Sequence, residues 1–157
     1  MTIALLLEGL AGGGVERATL RLAAGMAAAG HDVDLLIAGP DGPLRAETSP
    51  LVGVVQLAPT APLAGRWMAF RAQLAGNPML ATRQLLSRRR NRILHYLPDL
   101  AAYLQRCPPQ VLVSAGFHAN LVAIWARRQA RVAARVIVTE HLPPSQHFCA
   151  SRKRRHR

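Results

Sequence analysis

The sequence predicts an α/β fold, a Rossmann-like parallel sheet with helices on both faces. Short apolar runs alternate along the chain with longer segments rich in Ala, Leu and Arg. Near-continuous apolar runs are typical of strands buried on both faces of a parallel sheet. Parallel neighbours also need right-handed crossovers, and the Ala/Leu/Arg segments supply helices for them.

The first half of the chain predicts strand, helix, strand. Residues 2–8 form an apolar run that ends in Glu8. Residues 15–30 are rich in good helix formers, and Gly30 stands where a glycine would end the helix. The apolar positions of this helix are Val15, Leu20, Leu22, Ala23 and Met26. The segment HDVDLLIAG then predicts a second strand, closed by the turn signal GPDGP.

The rest of the chain continues the alternation. LVGVVQL predicts a weaker third strand, and residues 66–106 predict two or three helices, broken near Asn77-Pro78 and at Pro98. A fourth strand is expected at 111–116, a helix at 119–132 and a fifth strand at 134–141.

Length and composition restrict the class of protein. With 157 residues, half of them hydrophobic, the chain suits one globular domain. No apolar run reaches the length of a membrane-spanning helix, and the N-terminus lacks the basic start of a secretory signal. The cysteines, Cys107 and Cys149, form no C-x-x-C pair, so structural zinc is not expected and nothing demands an oxidising compartment. We expect a cytoplasmic protein.

The net charge of +12 comes almost entirely from arginine, and it favours anionic partners. The last six residues, RKRRHR, carry five of these charges, but no base-stacking aromatic residues accompany them. Nucleic acid is therefore not the expected partner, and a frayed basic terminus is the better interpretation.

A second basic run, TRQLLSRRRNRILHYL at 82–97, mixes arginine with leucine and isoleucine. On a helix this pattern could contact an anionic membrane from the cytoplasmic side, with Trp67, Met68 and Phe70 dipping into the interface. The alternative is a solvated arginine face over a packed apolar one.

Three segments are expected to meet at one edge of the sheet. In parallel sheets ligands gather at the carboxyl ends of the strands. The glycine-rich turn after the first strand, SAGFHAN after the fourth and TEH at the end of the fifth all belong to that edge.

The consecutive glycines Gly12, Gly13 and Gly14 stand directly before the first helix. Glycines there let the backbone approach a phosphate at the helix N-terminus, but a tight strand-to-helix connection explains them equally well. The dinucleotide pattern G-x-G-x-x-G fails because Arg17 occupies its last position, and no Gly-Lys-Ser/Thr of a P-loop occurs.

Other polar residues at this edge are candidates with structural alternatives. His118 could accept a proton or contact a substrate, or it could cap or pack at a helix start. Asn120 is equally interpretable as a ligand contact or a helix-start residue, and Glu140 and His141 as cleft residues or structural hydrogen-bonding groups. Ser114 lacks the G-x-S-x-G context of a serine hydrolase because Leu112 replaces the first glycine. The histidines show no metal-binding spacing, so no metal or cofactor is expected.

Two blocks carry a resemblance to a known family. Gly13, Gly14, Val15 and Glu16 match a Gly-Gly-x-Glu turn, and the passage GHDVDL at 30–35 matches the entry into the second strand. Together with PPQVLVSAGFHANLVAIWARR and RVIVTEH, they make the chain similar to the N-terminal domain of a GT-B glycosyltransferase of family 4.

The resemblance implies transfer of a hexosyl group from a nucleotide-diphospho-sugar to a sugar or lipid-linked acceptor, with this domain on the acceptor side. By the matched positions, Gly13 and Gly14 would contact the donor diphosphate, with Gly12 beside them. Glu16 and Arg17 would shape the acceptor side, and His118 is the candidate catalytic residue.

The resemblance covers residues 1–142, with residues 143–157 as a basic tail. The family's two-glutamate donor-binding pattern is missing, so we expect a truncated piece that is inactive alone. A half-enzyme that pairs with a separate donor-binding chain is one alternative. Another is a non-catalytic module that binds anionic membrane or nucleic acid through a basic face.

Overall fold

One parallel five-stranded sheet forms the centre of the molecule. The computed structural model describes residues 1–74 and 92–140. The strands are β1 (Thr2–Leu7), β2 (Asp32–Ile37), β3 (Gly53–Gln56), β4 (Val111–Ala115) and β5 (Arg135–Thr139). They lie in the order β3-β2-β1-β4-β5, and every neighbouring pair is parallel.

Within the described residues, four α-helices connect or cover the strands. They are α1 (Gly14–Ala28), α2 (Pro62–Leu74), α3 (Leu97–Arg106) and α4 (Phe117–Ala130). Short 3₁₀ helices occur at Pro43–Glu47 and Arg92–Tyr96.

The ends of the helices follow from local chemistry. Gly30 has φ +83°, and its N–H donates to the carbonyl of Ala27, so the expected helix-ending glycine after α1 is confirmed. Pro98 lies in the first turn of α3, where its missing N–H costs nothing, which confirms a helix boundary there. The expected break near Asn77-Pro78 lies outside the described residues.

The sheet is covered on both faces. On β1, Ala4 and Leu6 face α2, α3 and α4, whereas Ile3, Leu5 and Leu7 face α1. Successive residues of a strand point to opposite faces, and because helices cover both faces of the sheet, all five of these side chains are buried. The predicted fold class, a Rossmann-like α/β sheet, is therefore confirmed.

The order of the strands creates a crevice between β1 and β4. The chain runs outward from β1 through β2 to β3, then returns to the other side of β1 to form β4 and β5. Such a reversal point leaves an opening at the carboxyl ends of the two central strands, where the connections diverge to opposite faces.

A polar pair lies near the opposite edge of the sheet. The buried phenol of Tyr103 in α3 donates a hydrogen bond to the carboxylate of Asp34 in β2. Burial, and then this carboxylate, raise the pKa of Tyr103 above its ordinary value of 10.0.

This shift predicts a loss of stability at alkaline pH. Above pH 10 the unfolded chain releases the Tyr103 proton while the folded chain retains it, so the contribution present below that pH is lost as the pH rises. Between about pH 10 and pH 11 we expect the free energy of unfolding to fall by about 1 kcal/mol from this group. Urea unfolding of wild type and Tyr103→Phe over this range measures it, and an equally steep decline in both proteins would contradict it.

Candidate functional site

An open pocket of about 330 Å³ lies at the reversal point of the sheet. Its lining comes from residues 7–8 at the end of β1, 15–16 in the first turn of α1, and 115–118 at the junction of β4 and α4. The first turn of α1 and the segment after β4 therefore meet at one edge, whereas Gly12, Gly13 and Gly14 are not among the residues that line the pocket.

One of the three glycines before α1 is required by its backbone conformation. Gly12 has φ +112°, a conformation that favours glycine. A Cβ at Gly13 would lie 3.1 Å from Cδ of Glu16 and closer still to one carboxylate oxygen. At Gly14, by contrast, an added Cβ would meet nothing within 4 Å. The atoms near Gly13 belong to the end of the flexible Glu16 side chain, which can move aside, so the fold gives a firm reason for Gly12 but none for Gly13 or Gly14.

The helix N-termini of α1 and α4 both adjoin this pocket. Gly13 caps α1 and Gly116, with φ +98°, caps α4; neither helix has a side-chain hydrogen bond at its cap. Backbone N–H groups in a first helical turn have no intrahelical acceptor, and the helix dipole adds positive potential. The pocket is thus bordered by the positive ends of two helices.

Side chains with acid–base and aromatic character lie on the pocket's rim. His118 is exposed, and its ring packs edge-on against Phe117 with centroids 5.4 Å apart. Glu8 and Glu16 add two carboxylates. The site therefore combines positive helix ends with groups that accept hydrogen bonds from hydroxyls.

The side chain of Arg17 points away from the pocket-lining residues. Its guanidinium lies 3.9 Å from the carboxylate of Glu47, in the 3₁₀ helix after β2. Arg17 does not line the pocket between β1 and β4.

Asn120 is engaged in hydrogen bonds within the protein. Its Oδ1 accepts from Ser114 Oγ at 2.8 Å, and its Nδ2 donates to the carbonyl of Thr139 at 2.9 Å. The Gly116 N–H donates to the same carbonyl, at 3.2 Å. Asn120 therefore ties α4 to the carboxyl ends of β4 and β5, and a ligand contact at this residue stays a prediction.

The third expected segment, TEH, reaches the same edge through Thr139, the last residue of β5. Glu140 follows it and is exposed, but it is not among the residues that line the pocket. His141 lies outside the described residues.

Sequence reasoning overlooked two residues of the rim, Glu8 and Phe117. Glu8 directly follows β1 and Phe117 begins α4, so both occupy the carboxyl-end positions where the other candidates were sought. Their positions after a strand were the available signal.

Within residues 1–74 and 92–140, no three His, Cys, Asp or Glu side chains are grouped so as to hold a metal ion. In the same part of the chain, no helix has the length and apolar character needed to cross a membrane.

Comparison with known proteins gives a family match. A family model described as a glycosyl transferase 4-like domain matches residues 13–157. No curated protein matches the chain in sequence.

Two solved structures share the fold. One is a lipopolysaccharide outer core galactosyltransferase, WaaB, in its apo form, with a TM-score of 0.57 and 12% identity over 93% of this chain. The other is CalG4, the calicheamicin glycosyltransferase, with a TM-score of 0.53 and 15% identity over 99% of this chain. This chain spans 35% and 38% of their respective lengths.

Proposed function

The chain belongs to the glycosyl transferase 4-like family, and we propose that it forms the acceptor side of an enzyme that transfers a hexosyl group from a nucleotide-diphospho-sugar. The observation that carries this proposal is the position of two helix N-termini, both without side-chain caps, beside a pocket that is also lined by His118 and two glutamates. Family membership supplies the reaction class.

The diphosphate of the donor is proposed to lie against the turn at Gly12–Gly14. The N–H groups and dipoles at these two helix ends would stabilise the negative charge that develops on the diphosphate as its bond to the sugar breaks. The open space beside Gly14 supports this placement, because a ligand can approach the backbone there without displacing a side chain.

The acceptor is proposed to enter on the side of Glu8, Glu16 and His118. Carboxylates disfavour an anion at close range but accept hydrogen bonds from sugar hydroxyls. As the acceptor oxygen forms its bond to the sugar carbon, the exposed imidazole of His118 takes up the hydroxyl proton.

The nucleotide itself is assigned to a second, donor-binding domain, in the same or a separate chain. The pocket is open, and the two solved glycosyltransferases are almost three times as long as this chain. We therefore expect the acceptor side alone to bind diphosphate weakly and to transfer no sugar.

Binding of inorganic pyrophosphate to the whole chain tests this placement. In an NMR titration at millimolar ligand, we expect the amide signals of Gly12–Gly14 and of residues 116–118 to shift together. Gly14→Ala should weaken this binding about tenfold, equivalent to about 1.4 kcal/mol, because the added methyl group occupies the approach to the N–H groups. The thermal midpoint should not fall, since the methyl group meets no protein atom.

Gly25→Ala is the matched control. Gly25 lies on the same helix, and an added Cβ there also meets nothing within 4 Å. It should leave pyrophosphate binding unchanged. The proposal is wrong if Gly14→Ala and Gly25→Ala bind equally well, or if the shifts fall only on arginines elsewhere.

A further inference from the structure

The first turn of α4 is held at both of its ends by one backbone carbonyl, that of Thr139 at the end of β5. The Gly116 N–H donates a hydrogen bond to this carbonyl at 3.2 Å, and Nδ2 of Asn120 donates to it at 2.9 Å. The Asn120 N–H also donates to the Gly116 carbonyl, at 2.9 Å, which closes the turn. Phe117 and His118 therefore lie between two anchored residues.

A buried hydroxyl fixes the orientation of the Asn120 side chain. Ser114 is only 1% exposed, and its Oγ donates to Oδ1 of Asn120 at 2.8 Å. Because this hydroxyl engages the amide oxygen, Asn120 presents its amide nitrogen, which is a donor, to Thr139. The Thr139 hydroxyl in turn donates to the Ser114 carbonyl at 3.0 Å. We call Ser114, Asn120 and Thr139 the β4–β5 network.

The residues held by this network carry groups that line the pocket. Gly116, Phe117 and His118 all belong to its lining, and the side chains of Phe117 and His118 are exposed. Gly116 has φ +98°, and a glycine at such a junction can adopt many other backbone conformations. The two hydrogen bonds to the Thr139 carbonyl restrict that freedom at the point where α4 begins.

We propose that Asn120 is a positioning residue, which holds the first N–H groups of α4 and the imidazole of His118 in the arrangement that a ligand meets. An exposed turn that begins with glycine would otherwise have to be ordered when the ligand binds, and that loss of conformational entropy would weaken binding. The role needs no contact between Asn120 and the ligand. It rests on the proposed function, because it concerns the same pocket.

Backbone ¹⁵N relaxation of the whole chain without ligand tests the positioning itself. In wild type we expect order parameters of about 0.85 at residues 116–118, the value typical of rigid backbone. In Asn120→Ala they should fall toward about 0.6 at these residues, whereas the interior of α4 keeps its wild-type values. Asn120→Asp should behave like Asn120→Ala, because a carboxylate still accepts from Ser114 but cannot donate to the Thr139 carbonyl.

Pyrophosphate titration of the folded variants measures the consequence for binding. Asn120→Ala should bind about tenfold more weakly, as expected when one more residue has to be ordered on binding. The ligand-induced shifts at residues 116–118 should shrink, whereas the shifts at Gly12–Gly14 should persist, because α1 makes no hydrogen bond with the β4–β5 network.

Tyr103→Phe is the matched control for both measurements. It also removes a side-chain hydrogen bond, the one to Asp34, but at the opposite edge of the sheet. Order parameters at residues 116–118 and pyrophosphate affinity should both keep their wild-type values in this variant. Circular dichroism establishes that every variant is folded at the temperature of the measurements.

Two results of the relaxation measurements would overturn the proposal. Unchanged order parameters at residues 116–118 in Asn120→Ala would leave Asn120 with a role in stability alone. A fall spread over the whole of α4 would indicate general loosening of the helix rather than loss of an anchor. If wild type binds no pyrophosphate, the placement of the diphosphate is wrong, and the relaxation measurements still decide whether Asn120 orders this turn.

Discussion

Leu6→Ala should lower the free energy of unfolding by about 2–5 kcal/mol. Leu6 lies in β1, the central strand of the sheet, and its side chain is fully buried among residues of α2, α3 and α4. A central strand is held by hydrogen bonds to the strands on both sides, so its backbone cannot move inward to fill the space. The variant therefore loses both the transfer free energy of the removed atoms and the contacts around the cavity. Urea unfolding followed by circular dichroism measures this difference.

Leu22→Ala is the matched control for this prediction. It removes the same atoms from a leucine that is 45% exposed on α1. We expect a change within about 0.5 kcal/mol. Similar losses in the two variants would mean that Leu6 does not occupy the packed position described above.

Asn120→Ala should lower the free energy of unfolding by about 2 kcal/mol, because it removes two hydrogen bonds and leaves a buried hydroxyl without its acceptor. Ser114, which loses that acceptor, is only 1% exposed. Thr139 keeps the Gly116 N–H on its carbonyl, which limits the cost. Chemical denaturation of the whole chain measures the loss.

A double-mutant cycle separates the structural role of Asn120 from a ligand role. In a Ser114→Ala background, Asn120→Ala should cost about 1 kcal/mol less, because the hydroxyl that needed an acceptor is gone. If Asn120 serves only to contact a ligand, Asn120→Ala will leave stability unchanged and will affect only ligand binding.

The location of the candidate site could be predicted from sequence, because parallel strands bring their carboxyl ends to one edge. That rule predicts that the segments after β1 and β4 lie together, and the pocket between these strands is lined by Glu16 from the first segment and His118 from the second. The roles of individual residues could not be predicted in the same way. Asn120 is tied to Ser114 and Thr139, and Arg17 is directed toward Glu47. Such partners are brought close only when the strands assemble.

The sequence also does not determine which face of each helix is buried. In α1, Leu20 and Leu22 both belong to the apolar pattern, but Leu20 is buried and Leu22 is exposed. In α2, one of two interpretations of the sequence grouped Met68 with Trp67 and Phe70 at the surface, whereas Met68 packs against the core and Leu63 and Trp67 are exposed. A periodic pattern defines a helix and a broad apolar arc, but the centre of the buried arc depends on which residues of the sheet lie beneath it.

The sequence by itself determined the alternation of strands and helices, the parallel sheet, the glycine-rich junction before α1 and the family to which the chain belongs. These properties depend on residues that are close in sequence, or on rules of connection that hold for every parallel sheet. Only the tertiary structure decided that Gly12 adopts a backbone conformation that favours glycine whereas an added Cβ at Gly14 would meet no atom. It also decided that Asn120 joins two strands and that α2 exposes Leu63 and Trp67. Those outcomes depend on contacts between residues that are far apart in the sequence. Local sequence patterns do not specify which of these residues will meet.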